Sequence, residues 1–85
     1  MFEVRFTRDA IKALQRMPRN TAMLIRGKIA TLAQDPHAKN NNTAKLAGRP
    51  GYRLRVGDWR VIYELDQQRR LLDVVVVGPR GSVYE

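Results

Sequence analysis

Three arginines in the segment 52–64 are spaced so that they can meet around one anion. Apolar and charged residues alternate on both sides of Gly57-Asp58, a pattern typical of two strands joined by a two-residue turn. That turn predicts Arg55 opposite Arg60, with Arg53 on the same face of the sheet. Like charges placed opposite each other repel, so a bound phosphate would explain the arrangement. Arginine suits this role because its planar guanidinium binds phosphate oxygens in pairs.

A plainer interpretation of these charges stays open. Strands with one wet face often carry arginine for solubility alone, and Glu64 could pair with Arg53 across the diagonal. A second basic stripe, Arg8, Lys12 and Arg16, has helical spacing. It is interpreted as the solvated face of a helix, which would contribute to steering at most.

The remaining residue types exclude several kinds of catalytic site. The chain has no cysteine, so neither a disulfide nor a thiolate metal site is available. His37 is interpreted as an exposed loop residue, and Ser82 has no evident base beside it. The acids lack metal-ligand spacing, and we expect no metal and no cofactor. Arginines and tyrosines can still support RNA cleavage, because the ribose 2′-hydroxyl supplies the nucleophile and needs only alignment and charge stabilisation.

The elements that would position the arginines follow from periodicity. The predicted elements are a strand over 2–6, helices over about 8–17 and from 20 or 21 to 34, and strands over 52–56, 59–65 and 71–77. Thr7 is expected to cap the first helix, and the polar segment 35–51 is predicted to be a loop. The apolar run 71–77 fits an interior strand. We expect one α+β domain over 1–85, of order β-α-α-β-β-β, with the helical hairpin packed on a mainly antiparallel, twisted sheet.

The net charge of +8, from 16 basic and 8 acidic residues, indicates a polyanionic partner. Nucleic acid is the first candidate, an acidic protein segment the second and an anionic membrane surface the third. After Lys45 every basic residue is an arginine. No apolar run approaches the length of a membrane span, and residues 1–10 lack the apolar stretch of a signal peptide. We therefore expect a cytoplasmic protein with no membrane partner.

The sequence YRLRVGDWRVIYE at 52–64 resembles the central hairpin of the RelE/ParE toxin superfamily. The run 71–77, followed by Gly-Pro-Arg and then Val83-Tyr84, resembles that superfamily's last strand and tail. The resemblance implies a toxin of a type II toxin-antitoxin system, of the RelE-like branch. Such a toxin is a metal-independent, ribosome-dependent mRNA endoribonuclease (mRNA interferase), which cuts messages in the ribosomal A site and inhibits translation. It also implies a cognate acidic antitoxin, bound in a toxin–antitoxin hetero-oligomer.

The family's functional positions can be transferred by motif to this sequence. They fall on Arg53, Arg55, Arg60, Arg80 and Tyr84. The resemblance implies catalytic roles for Arg60 and Arg80 at the scissile phosphate. Tyr84 would stack on the nucleotide or hydrogen-bond to it. Arg53 and Arg55 would bind the RNA backbone near the 2′-hydroxyl.

The sequence departs from many relatives at two places. Arginine stands at 53 and 55 where many relatives carry lysine, and residues 78–81 are Gly-Pro-Arg-Gly where close relatives often have Gly-His-Arg-Arg. These changes leave the electrostatic part of the mechanism intact and remove a histidine that could transfer protons. Two other functions stay open on the same fold: a ParE-type inhibitor of DNA gyrase and a non-catalytic RNA-binding module.

Overall fold

The computed structural model of the chain describes residues 1–83, in which two helices pack on one face of a five-stranded mixed sheet. The elements are β1 (Glu3–Phe6), α1 (Arg8–Arg16), α2 (Arg19–Gln34), β2 (Thr43–Lys45), β3 (Tyr52–Val56), β4 (Trp59–Asp66) and β5 (Leu71–Pro79). The predicted α+β class and the order β-α-α-β-β-β are confirmed, with the short strand β2 as an addition. Within the described residues no helix is both long enough and apolar enough to span a bilayer.

The helical hairpin begins at Arg8 and ends at Gln34, as the sequence predicts. The Thr7 hydroxyl accepts a hydrogen bond from the Ala10 backbone N–H at 3.1 Å and donates one to the Val75 carbonyl at 2.7 Å. This one side chain therefore caps α1 and ties it to β5. Pro18 separates the helices, because proline disfavours helical geometry at the residue before it. The apolar stripe of α2 is buried and consists of Ala22, Ile25, Ile29 and Leu32.

The strands lie in the order β1-β5-β4-β3-β2, in which β1 runs parallel to β5 and the other pairs are antiparallel. β5 therefore lies between β1 and β4, which confirms the interior strand predicted from its apolar run. The prediction of a loop over 35–51 was wrong at β2, where Thr43 pairs with Leu54 and Lys45 with Tyr52. Three polar or small residues give no strand signal of their own, and the free edge of β3 supplies their hydrogen-bonding partners.

The register of the β3–β4 hairpin is the one that its turn predicts. Val56 pairs with Trp59, Arg55 with Arg60, and Arg53 with Ile62. Gly57 has φ +58°, whereas Asp58 has a negative φ, as in a type II′ turn. Alternation then divides the hairpin into two faces. The face toward the helices contributes these core residues: Leu54, Val56, Val61 and Tyr63.

A candidate anion-binding site on the arginine face

The side chains of Arg53, Arg55 and Arg60 project from the sheet on the side opposite the helices, and we call this surface the arginine face. Their common side follows from the observed register, since directly paired residues project to the same face. The hairpin thus places three positive charges on two neighbouring strands. The predicted convergence of these side chains on one face is confirmed.

Arg60 is buried, with 8% of its surface exposed. Its Nη1 donates hydrogen bonds of 3.0 Å to the carbonyl oxygens of Gly57 and Trp59. These bonds supply polar partners to a charged group that would otherwise be costly to bury. The guanidinium is therefore held in one place beside the hairpin turn.

Arg55 has a different set of backbone partners. Its Nη2 donates to the Asn41 carbonyl at 3.3 Å, and its backbone N–H donates to the Asn42 carbonyl at 2.8 Å. The side chains of Arg55 and Arg60 are thus tied to carbonyl oxygens on different segments. This arrangement weakens the repulsion expected of a directly opposed arginine pair. Arg53 is half-buried, whereas Arg55 is exposed.

The segment after β5 returns to the end of the sheet where the hairpin turns. The Arg80 backbone N–H donates to the Asp58 carbonyl at 2.7 Å, and the Arg80 side chain is exposed. The next residues form a turn in which the Ser82 N–H donates to the Pro79 carbonyl at 3.1 Å. Gly81 has φ +87° at the position where a type II turn requires a positive φ. Arg80 therefore belongs to the same end of the sheet as Arg60, whereas Tyr84 lies outside the described residues.

Comparison with known proteins identifies the family of the chain. The family model described as "ParE toxin of type II toxin-antitoxin system, parDE" matches residues 4–84. The chain belongs to this toxin family, within the RelE/ParE superfamily. At the sequence level no curated protein shows significant similarity to the toxin.

Solved structures of RelE toxins share the fold of this toxin. The RelE of an archaeal RelE–RelB complex from Pyrococcus horikoshii is 27% identical, with a TM-score of 0.80 over 96% of the toxin and 98% of that chain. A chain of the intact Escherichia coli RelBE complex is 20% identical, with a TM-score of 0.79 over 93% and 96%. A chain of the RelBE2 complex of Mycobacterium tuberculosis is 21% identical, with a TM-score of 0.77 over 93% and 98%. Each of these structures is a toxin–antitoxin complex.

Gly78 and Val83 are two residues of the toxin's arginine face that the sequence did not single out. Gly78 pairs directly with Arg60, and a Cβ built on Gly78 would lie 2.6 Å from Val83 Cγ1. The tail after β5 therefore folds back across the strand next to Arg60. A glycine inside an apolar strand run indicates such a close approach, and this was the available signal.

His37 lies at the other end of the toxin's sheet. Its Nε2 is 3.0 Å from the Gln67 side-chain oxygen, in the turn after β4. Arg60 is at the start of β4, roughly 20 Å away along the strand. A cavity of about 260 Å³ opens at the His37 end, lined by Met1, Phe2, Gln34, Asp35, Pro36, His37, Gln67 and Arg70. His37 is exposed, as predicted, and is too far away to act on a phosphate bound at Arg60.

Proposed function

We propose that the toxin is a cytoplasmic, ribosome-dependent mRNA endoribonuclease that inhibits translation. The observation that supports this proposal is the pairing of Arg55 with Arg60 on one face, at the end of the sheet that also holds Arg80. Arginine side chains on one face and at one end of a sheet can bind a phosphodiester together, because each guanidinium binds phosphate oxygens in pairs. RNA is the substrate class that such a site can cleave, because its 2′-hydroxyl is an internal nucleophile.

The proposed reaction breaks one P–O bond and forms another. The 2′-oxygen attacks the adjacent phosphorus in line, and the 5′-oxygen of the next nucleotide departs. The products are a 2′,3′-cyclic phosphate and a 5′-hydroxyl, so no water is consumed. The 2′-hydroxyl loses its proton to water or to a ribosomal group, and the leaving oxygen gains one. No redox change or metal ion enters this balance.

The arginines contribute through charge, because arginine stays protonated at neutral pH and is a poor general base. Arg60 and Arg80 would stabilise the negative charge that grows on the phosphoryl oxygens. Arg53 and Arg55 would bind the neighbouring backbone and align the 2′-hydroxyl. Arg60 is already fixed by two carbonyl oxygens, so little reorganisation is needed when the charge develops. Tyr84 would stack on the nucleotide or hydrogen-bond to it.

We propose that a cognate acidic antitoxin binds the toxin and silences it in a hetero-oligomer. The net charge of +8 favours an acidic partner, and the structures from Pyrococcus horikoshii and Escherichia coli described above are complexes with antitoxins. Such a segment would compete with RNA wherever it covers the arginine face.

Substitution of Arg60 tests the catalytic assignment on ribosomes carrying a defined message. Arg60→Ala should lower the cleavage rate by about 100-fold or more, as loss of one preorganised donor does elsewhere. Arg80→Ala should lower it as well, and primer extension of translated messages after induction reports the cuts in cells. Arg69→Ala is the matched control, because it removes the same charge from an exposed position in the turn after β4. Equal, undetectable cleavage by wild-type and Arg60→Ala toxins would leave the RNA-binding module as the better explanation.

Inhibition of DNA gyrase is the second candidate, favoured by the family model, whose description names the parDE system. The toxin would then bind gyrase without cutting RNA. Gyrase-dependent DNA damage after induction, with intact messenger RNA, is the expected result of this function. Cut messages with undamaged DNA are the expected result of the nuclease function, so one induction experiment with both readouts separates the two.

A further inference from the structure

The tail of the toxin packs against the last strand at a place where only glycine leaves room for it. On Gly78 a Cβ would lie 2.6 Å from Val83 Cγ1, closer than real side-chain contacts allow, and 3.4 Å from Ser82 Oγ. The side chain of Val83 therefore occupies space that any other residue at position 78 would fill. Because Gly78 pairs with Arg60, this contact lies on the arginine face, directly beside the proposed catalytic arginine.

Local hydrogen bonds bring the tail back onto the strand. The Ser82 hydroxyl and backbone N–H both donate to the Pro79 carbonyl, at 2.9 and 3.1 Å, and Gly81 takes the positive φ that the reversal needs. The Arg80 N–H fastens the start of this turn to the β3–β4 hairpin. Val83 is half-buried at the end of the turn, so the reversal terminates in an apolar contact.

We propose that the Gly78–Val83 contact is an anchor that holds residues 80–83 on the arginine face in the orientation that cleavage requires. This inference rests on the proposed nuclease function. Gly78 and Val83 are positioning residues, since they carry no group that could bind phosphate or transfer a proton. They act through the segment 80–83, which begins with Arg80. A displacement of about 1 Å at a reacting group can lower a rate by about 100-fold, so a loose tail should impair catalysis more than binding.

The contact can be tested by adding a methyl group at position 78 and by shortening Val83 to alanine, singly and together. Gly78→Ala should displace Val83 and lower kcat for message cleavage on programmed ribosomes by about 30-fold or more, with KM changed by about 3-fold or less. Val83→Ala should lower kcat by less than about 10-fold. In the double variant the alanine methyl at position 78 occupies the space that Val83 Cγ1 vacates. The double variant should therefore cleave at about the rate of Val83→Ala alone.

A second readout follows the tail without relying on catalysis. The Ser82 amide is hydrogen-bonded in the folded tail, so its hydrogen exchange should speed up about 10-fold or more in Gly78→Ala and return toward the wild-type rate in the double variant. Gly27→Ala is the matched control, because a methyl group there meets nothing within 4 Å. Both its cleavage rate and its Ser82 exchange should equal those of the wild type.

The following results would contradict the proposed role of the Gly78–Val83 contact. Wild-type kcat in Gly78→Ala, or a double variant no more active than Gly78→Ala, would show that the contact does not position the tail. If Gly78→Ala failed to fold, Val83→Asp would replace it, since that change leaves the strand intact. Unchanged kcat and unchanged Ser82 exchange in Val83→Asp would likewise contradict the inference. A wild-type toxin that never cuts messages would refute the nuclease function alone, and the exchange measurements would still decide whether the anchor exists.

Discussion

Arg55 and Arg60 are opposed across two strands, and each is stabilised by backbone oxygen atoms. Carbonyl groups carry only partial negative charge, so they hold a guanidinium without neutralising it. The hydrogen bonds of Arg60 to Gly57 and Trp59 therefore hold its guanidinium in a fixed orientation. The guanidinium of Arg60 is therefore preorganised for binding a phosphate.

Tyr63 lies on β4, as Arg60 does, but on the face toward the helices. Its ionisation should make the free energy of unfolding depend on pH. Burial, with a further contribution from neighbouring Tyr52, raises the pKa of Tyr63 from 10.0 to about 12. The two rings stack with centroids 5.4 Å apart, and Tyr63 is only 1% exposed. Between these pH values the unfolded chain loses the phenol proton while the folded chain keeps it. Stability should therefore be full below pH 10 and fall by about 2–3 kcal/mol as the pH rises to about 12.

Urea unfolding of wild-type and Tyr63→Phe toxins across this range measures that contribution. Phenylalanine retains the ring and has no proton to lose, so the difference in unfolding free energy between the two proteins isolates the Tyr63 phenol. We expect the phenylalanine variant to lose less stability above pH 10 than the wild type. Parallel pH profiles of the two proteins would contradict a perturbed Tyr63.

The β3–β4 hairpin is the element that brings the arginines together, and it was predictable because its determinants are local. Alternation assigned the two strands, and a two-residue turn admits one register, so Arg55 opposite Arg60 followed from sequence. The strand β2 was not predictable, since its pairing depends on the open edge of β3. The burial of Arg60 and the contact of Val83 with Gly78 were missed for a related reason. Both depend on how separate segments pack, and the glycine at position 78 was the one local signal of the second.

The turn residue Gly57 should be sensitive to substitution because of its backbone conformation. With φ +58° and nothing within 4 Å of an added Cβ, Gly57→Ala introduces backbone strain without a clash. We expect a loss of about 1–2 kcal/mol in urea unfolding, the cost of a left-handed conformation for an L-residue. Gly27→Ala is the control, because it lies within a helix and should gain about 0.5–1 kcal/mol. Equal effects of the two substitutions would exclude backbone strain at Gly57 as the cause.

In the whole molecule the two faces of the sheet have different roles: one forms the apolar core, and the other carries the arginine face. The helices cover one face and provide the apolar core, while the other face holds Arg53, Arg55 and Arg60. Acidic residues toward the opposite end of β4 form exposed ion pairs, Arg69 with Asp66 at 4.0 Å and Arg5 with Asp73 at 3.7 Å. These pairs offset part of the basic charge away from the hairpin turn.

The salt dependence of RNA binding distinguishes a localised site from a diffuse positive surface. Each phosphate contact on a single strand contributes about 0.7 to the slope of log K against log salt. Arg55→Ala should therefore lower the magnitude of the slope by about 0.7, whereas Arg69→Ala, which removes the same charge elsewhere, should leave it nearly unchanged. Fluorescence anisotropy with a labelled RNA oligonucleotide measures both slopes. If the two substitutions changed the slope equally, binding would follow net charge alone, and the arginine face would hold no particular phosphate.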